Sequence, residues 1–227
     1  LEDKDLVQRL ESTVIRWTRQ IKEVINLQDN SQDAETAGPL DEINFWSERT
    51  VDLSGIREQL HDRTVLRIAE LLKHVKSTYL KSFEDLSATI HEGSNEAEDN
   101  LKFLNCLRPV CEEIEKSSPP EVVALLPKLL KVIRMIWNVS GHYNRQERLT
   151  GLLRKVSNQI MARCCDYIPL SGVFDQDGDV QTSIDRLREC IACGEAWRVE
   201  YEKTKAAISR SPKTKDWSFP SESGIFA

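Results

Sequence analysis

Glycine and proline are scarce in this 227-residue chain, at 9 and 8 residues, and aromatic side chains make up only 7%. Val, Ile and Thr do not alternate with polar residues in strand-like runs. A sheet protein needs turn residues and period-two patterning, so these shortages argue against strands and favour helix. Long apolar runs are missing too. The greasiest stretch, Val122 to Trp137, is broken by Lys128, Lys131 and Arg134, and no run reaches the ~18 residues of a membrane span. Those three basic residues lie three apart and form one polar stripe on an otherwise buried helix. The first residues, LEDKDLVQRL, are charged and lack the apolar stretch of a secretory signal. An excess of positive charge is also absent: the net charge is -6 and the pI about 5.4. Nucleic-acid-binding domains are usually basic, so neither nucleic acid nor membrane is an expected partner.

The signatures of catalysis are missing as well. There is no H-E-x-x-H, no G-x-S-x-G and no G-x-x-x-x-G-K-[ST], so the segment carries no phosphate-binding loop for ATP. The histidines, His61, His74, His91 and His142, are scattered. No cysteine or serine has a nearby partner that would activate it as a nucleophile. Of the six cysteines, Cys106, Cys111, Cys164, Cys165, Cys190 and Cys193, the last two stand one helical turn apart. No second Cys or His pair stands at finger-like spacing, and zinc wants four ligands. Buried free thiols are the expectation. Asp175, Asp177 and Asp179 resemble a calcium loop, but glycine falls at the fourth place and Arg186 at the twelfth, where an EF-hand needs glutamate. Asn138-Val139-Ser140 fits a glycosylation sequon and reads as chance. No catalytic, cofactor-binding or metal residue is expected in this segment.

What is present is helical periodicity. Leu6, Leu10, Val14, Trp17, Ile21 and Val24 step by fours and threes. Leu27 to Ala37 is polar and unpatterned and reads as a loop. Gly38 then breaks the chain, and Pro39 suits a first helical position. Asp41 and Glu42 follow, where the positive end of the helix dipole favours carboxylates. Ile43, Trp46, Leu53, Ile56 and Leu60 form a buried stripe. A third helix is expected over about Thr64 to Ile90, ended by Gly93, with Ser94 capping a fourth through Glu115. Ser118 and Glu121 have the spacing of a capping box for a fifth, and Asn144 and Glu147 repeat it for a sixth. Leu149, Leu152, Val156, Ile160 and Cys164 make the buried stripe of that helix. Pro169 to Gly178 reads as a turn-rich loop. Asp179 starts a seventh helix with Val180, Ile184, Leu187, Ile191 and Tyr201 on one side, fading near Ser209. Trp17, Trp46 and Trp137 read as core. The architecture expected is all-α: an elongated bundle of about six or seven long antiparallel helices, part of a larger helical tail. Its parts are a first helix over 1–27, a loop over 28–38, a helical bundle over 39–208 and an irregular segment over 209–227. No methionine starts the chain and Phe226-Ala227 is no obvious natural end, so it reads as a fragment of something longer.

Four elements carry more than periodicity: Val14 to Val24, VIRWTRQIKEV; Gly38 to Ile56, beginning GPLDEINFWSER; Trp137 to Cys165, WNVSGHYNRQERLTGLLRKVSNQIMARCC; and Trp217 to Ala227, WSFPSESGIFA. In this order they resemble the first tail (stem) region of axonemal dynein heavy chains, over nearly the whole chain. The VIRWTRQIKEV wording and the Cys164–Cys165 pair look most like a heavy chain of the two-headed inner-arm dynein. The resemblance implies a non-catalytic segment, since dynein ATP and Mg sites lie downstream in a ring of AAA modules. It implies a scaffold that joins a second heavy chain, carries intermediate and light chains and meets axonemal docking proteins, in the cytoplasm of the cilium or flagellum. The full-length protein would be an ATP-driven, minus-end-directed microtubule motor.

Aromatic–arginine pairs are the best candidate anchors for such partners, because Trp and Arg dominate binding hot spots. Trp197, Arg198, Trp217 and Phe219 are therefore the candidate partner-binding residues; Trp46 with Arg49 is a further pair. The alternative is a freestanding helical protein-interaction or membrane-surface adaptor, which would want a more concentrated basic face than Lys128, Lys131 and Arg134 supply. A small helical enzyme would want paired Glu-x-x-His or an activated Cys, and has neither.

Overall fold

The computed structural model describes residues 4–29, 36–168, 180–210, 217, 225 and 226. Among the described residues there are eight helices and no strand: α1 (Lys4–Asp29), α2 (Pro39–Leu60), α3 (Arg63–His74), α4 (Leu80–Leu104), α5 (Arg108–Lys116), α6 (Pro119–Val139), α7 (Gln146–Tyr167) and α8 (Val180–Ser209). The all-α expectation holds. The expected loop over Pro169–Gly178 lies outside the described residues. The helices gather into two compact units, one comprising 1–34 and 45–101, the other 35–44 and 102–227, so the boundaries fall inside α2 and α4.

In the first unit α1 packs against α3. Val14, Trp46, Leu53, Leu72, Phe83 and Ile90 are among its buried side chains. Trp17 is only half-buried; its ring meets Phe83 with centroids 6.3 Å apart. The single helix expected over Thr64 to Ile90 is two helices. Asp62 caps the first, its carboxylate accepting the Thr64 amide at 2.8 Å. The break follows His74: the Ser77 amide donates to the Leu72 carbonyl (3.0 Å) and the Lys76 amide to that of Lys73 (3.1 Å). Lys76 sits at φ 54. That hydrogen-bond pair is the Schellman stop. It hides in the sequence because a lysine, not a glycine, occupies the left-handed position.

The expected stop at Gly93 is absent, and α4 runs through it. A Cβ on Gly93 would touch Leu53 Cδ1 at 3.5 Å, so this glycine sits in close helix packing. Ser94 is buried inside the helix rather than capping it, and its hydroxyl donates to Glu98 at 3.3 Å. Glu98 also accepts from Arg57 at 2.8 Å. The chain turns instead after Leu104, where the Cys106 and Leu107 amides reach back three residues to Phe103 and Leu104, and α5 starts at Arg108 with Pro109 in its first turn.

The second unit is built on α6, which packs along α8 and against α5 and α7. Val122, Leu126, Leu129, Leu130, Ile133 and Trp137 are buried along it, while Lys128 and Lys131 face solvent as the stripe requires. Pro127 removes one backbone hydrogen bond in mid-helix, yet burial on either side holds the helix through it. At the start of α6 the Glu121 carboxylate accepts from both the amide (2.7 Å) and the hydroxyl (2.8 Å) of Ser118. The Ser118 amide holds the Glu121 pKa below the ordinary value. At α7 the N-cap is Arg145, one residue after the expected Asn144.

Helix α8 departs most from the sequence reading. Val180, Ile184, Leu187 and Ile191 are exposed, whereas Ser183, Cys193, Trp197, Tyr201 and Ile208 are buried. Tyr201 thus belongs to a different face from the aliphatic stripe. The face with two large aromatic rings carries more apolar area, and that face turns inward.

Candidate functional site

The four sequence elements differ from a generic amphipathic helix in their polar residues, and in the second unit those residues are bonded to each other. The Gly38 amide donates to Asp41 at 2.7 Å, closing the first turn of α2. This turn aims Glu42 inward, where it is 8% exposed. One carboxylate oxygen accepts the Tyr143 hydroxyl at 3.0 Å, and the other pairs with the Lys155 ammonium. Tyr143 is fully buried. Burial first, and then the Glu42 charge, push its pKa well above the ordinary range, so the phenol keeps its proton and remains a donor. Ser140 shapes the loop that delivers Tyr143, its hydroxyl accepting the His142 and Tyr143 amides at 3.3 and 2.8 Å. Arg148 donates to the His142 carbonyl at 3.0 Å.

Further along α7, Asn158 donates to the Ala37 carbonyl at 3.0 Å, just before the GPL turn. Gln159 donates to the Cys111 carbonyl (3.0 Å) and Arg163 to that of Glu115 (2.8 Å), tying α7 to α5. Ser157 is a double connector: it accepts from the Trp197 indole at 2.9 Å and donates to the Ile225 carbonyl at 2.6 Å. The W…IF element thereby reaches the same helix as the GPL element. Trp217 and Phe226 complete an aromatic cluster on Tyr201, with centroids 5.9 and 5.2 Å away.

Among the candidate partner-binding residues, Trp197 is 3% and Trp217 1% exposed. Both pack inside the unit instead of standing out as surface anchors, because the indole of Trp197 is hydrogen-bonded to Ser157 and both rings close on Tyr201. Arg198 is exposed, with its guanidinium 5.6 Å from the Phe226 ring centre. Phe219 lies outside the described residues. Spacings of four, three, four and seven put Val180, Ile184, Leu187, Ile191 and Arg198 on one solvent-facing side of α8. The sequence assigned Glu42 only to the acidic first turn of α2, and Tyr143, Lys155, Ser157 and Asn158 stood within the motifs without a role. Their signal was polarity inside segments whose neighbours are buried.

In the first unit a groove of about 670 Å³ opens between α1, α2 and α3, lined by Trp17, Ile21, Val24, Ile56, Leu60 and Ile68. This open groove is why Trp17 stays half-exposed. Among the described residues, no group of three or more His, Cys, Asp or Glu is arranged to hold a metal ion, and no helix is long and apolar enough to cross a membrane.

Residues 7–227 match the family model described as dynein heavy chain, N-terminal region 1. The chain is 50% identical over 227 residues, all of its length, to the dynein-1-beta heavy chain of the flagellar inner arm I1 complex of Chlamydomonas reinhardtii, covering 5% of that protein. It is 46% identical over 156 residues, 69% of its length, to dynein axonemal heavy chain 2 of Homo sapiens, covering 4%. It is 30% identical over 231 aligned residues to the dynein beta chain of the flagellar outer arm of Chlamydomonas reinhardtii, covering 5%. The higher inner-arm identity agrees with the subtype expected from the sequence.

Proposed function

Because the chain belongs to the dynein heavy chains, as a segment of their N-terminal region, we propose that it is a non-catalytic stem piece of a ciliary or flagellar motor. It scaffolds heavy-chain association, holds intermediate and light chains and contributes to attachment on the axonemal doublet. The whole protein is an ATP-driven, minus-end-directed microtubule motor whose ATP and Mg sites lie in a motor region outside this segment.

The observation that carries this reading is the division of labour in the second unit. The polar residues of the motifs are spent inside, on the Glu42–Tyr143–Lys155 network and the Ser157 connector. A rigid frame results, and one side of α8 is left with Val180, Ile184, Leu187, Ile191 and Arg198 facing solvent. Aliphatic side chains at helical spacing, ending in an arginine, suit an amphipathic helix or a flat apolar face of another dynein subunit. The relative that belongs to the inner arm I1 complex supports a multi-subunit setting.

The test is affinity capture with the 227-residue chain as bait in a ciliary extract, read by mass spectrometry. Enrichment of dynein intermediate and light chains, lost when Ile184 and Ile191 are replaced by aspartate, supports the scaffold reading. A folded bait that captures none of them overturns the claim that this segment holds subunits. Capture of lipid or unrelated adaptors in their place favours the freestanding adaptor reading.

A further inference from the structure

Three helices of the first unit each present apolar side chains to one groove. On α1, Trp17, Ile21 and Val24 stand four and three residues apart; on α3, Val65 and Ile68 stand three apart, and α2 adds Ile56 and Leu60. All of them line the same opening of about 670 Å³. Leu60 is buried, and the others are only half-buried. Phe83 braces the Trp17 ring from one side, with centroids 6.3 Å apart. The other tryptophans, Trp46, Trp137, Trp197 and Trp217, are at most 4% exposed. A half-exposed tryptophan in a concave apolar lining has the character of a binding anchor more than of a core residue.

The charge on this groove is of one sign. Among the described residues its ionisable lining groups are Glu58 and Asp62, both exposed. The Asp62 carboxylate accepts the Thr64 amide at 2.8 Å, and that bond holds its pKa below the ordinary value. No salt bridge among the described residues engages either carboxylate. The cations of α1 lie elsewhere: Arg19 and Lys22 line a separate hollow with Ile15 and Thr18.

We propose that this groove is a docking site for a basic amphipathic helix. The apolar stripe of the guest rests on Trp17, Ile21, Val24 and Ile56, and lysine or arginine on its flank meets Glu58 and Asp62. Trp17 to Val24 spans about 10 Å of helix axis. The docked stretch is therefore about two turns, with anchors at i, i+3 or i+4, and i+7. A helix laid against three others closes a four-helix core, and long cationic side chains cover apolar surface while their charges stay in water. This site is separate from the exposed side of α8, which belongs to the other unit.

The experiment pans a displayed library of helical peptides against the intact 227-residue chain. The peptides have about 18 residues, long enough to hold a helix. Leucine fixes the apolar stripe, and the flanking positions vary among Lys, Arg, Glu, Asp and Gln. The expected pool is enriched in Lys and Arg on the flank. Its best peptide, added to the chain, reduces acrylamide quenching of tryptophan emission by covering Trp17, and binds more weakly as salt rises. Ile21→Asp weakens that peptide by about tenfold or more, because it sets a charge among the anchors. Glu58→Gln combined with Asp62→Asn keeps the α3 cap, since asparagine caps as well as aspartate. It abolishes the cationic preference and weakens the peptide by about threefold, which keeps the test decisive even if Ile21→Asp fails to fold. An unenriched pool, a pool without cationic bias, or binding that leaves Trp17 quenching unchanged overturns the proposal. Self-association of the chain that covers Trp17 without any peptide also overturns it, making the groove a seat for a second copy.

Discussion

The Glu42 carboxylate accepts the Tyr143 hydroxyl at 3.0 Å across 101 residues of sequence, and both side chains are buried. With Lys155 on the second oxygen, this bond locks the first turn of α2 onto the loop before α7 and onto α7 itself. The sequence elements that identify the family are in this sense positions of internal bonding. Their physics is that of a buried charge, which is tolerated only when it is paired and hydrogen-bonded.

Removing one partner should therefore be costly. Lys155→Met removes the ammonium paired with the buried Glu42, and the expected loss is about 3 kcal/mol of unfolding free energy. Tyr143→Phe removes a single donor to a charged acceptor and should cost about 2 kcal/mol. Urea titrations followed by circular dichroism measure both. A loss under about 0.5 kcal/mol for Lys155→Met, the range of an ordinary surface change, would show that the network does not hold the unit together.

Stability should fall in alkali, with Cys111 as one cause. Burial pushes its thiol from 9.0 to about 12, with the nearby Glu115 charge adding to the shift. In the unfolded chain the thiol ionises near its ordinary value; in the folded chain it does not. The contribution is fully present below about pH 8.5 and is lost as pH rises towards 12, with a limiting slope of about 1.4 kcal/mol per pH unit. Cys111→Ala should be less stable at pH 8 but should lose less stability between pH 8 and pH 10. Parallel curves for the two proteins would rule out this source.

Lys76 adopts φ 54 at the Schellman stop of α3. A residue with a Cβ costs roughly 1 kcal/mol in that conformation, and glycine does not. Lys76→Gly should raise stability by up to about 1 kcal/mol, reduced by the extra freedom glycine gives the unfolded chain. A thermal melt that moves downward instead would mean the lysine side chain contributes to the turn.

Gly151 lies within α7, and a Cβ there would meet nothing within 4 Å. Gly151→Ala should stabilise the helix by about 0.5–1 kcal/mol through helix propensity. Its melting temperature, compared with that of the unmutated chain, checks this directly.

The exposed side of α8 predicts a separation of binding from folding. Ile184→Asp with Ile191→Asp should change stability by less than about 1 kcal/mol, because both side chains already face solvent, while abolishing subunit capture. A large drop in melting temperature would mean that face is covered within the chain.

Legibility followed the strength of the local signal. The stripes of α6 and α7 were readable because their apolar residues recur at helical spacing and are buried, save Cys164 at the end of the α7 stripe, which is half-buried. The stop after α3 was not, since lysine occupies the position that glycine normally advertises. Gly93 misled in the opposite direction: it marks a close contact with Leu53, and only the neighbouring helix reveals that. On α8 two neighbouring faces both looked apolar. Periodicity picked Val180, Ile184, Leu187 and Ile191, but the aromatic cluster around Tyr201 won the interior.

By itself the sequence determined the helical class, the α2 start at Gly38-Pro39, the capping carboxylate at Glu121 and the family, because each of these rests on residues close together or on a fixed order of words. Only the tertiary structure decided that Glu42 meets Tyr143 and Lys155, that Ser157 joins Trp197 to Ile225, and that Cys164 faces Cys190. Those pairings join residues far apart along the chain, and no local propensity records which distant helix face will lie opposite.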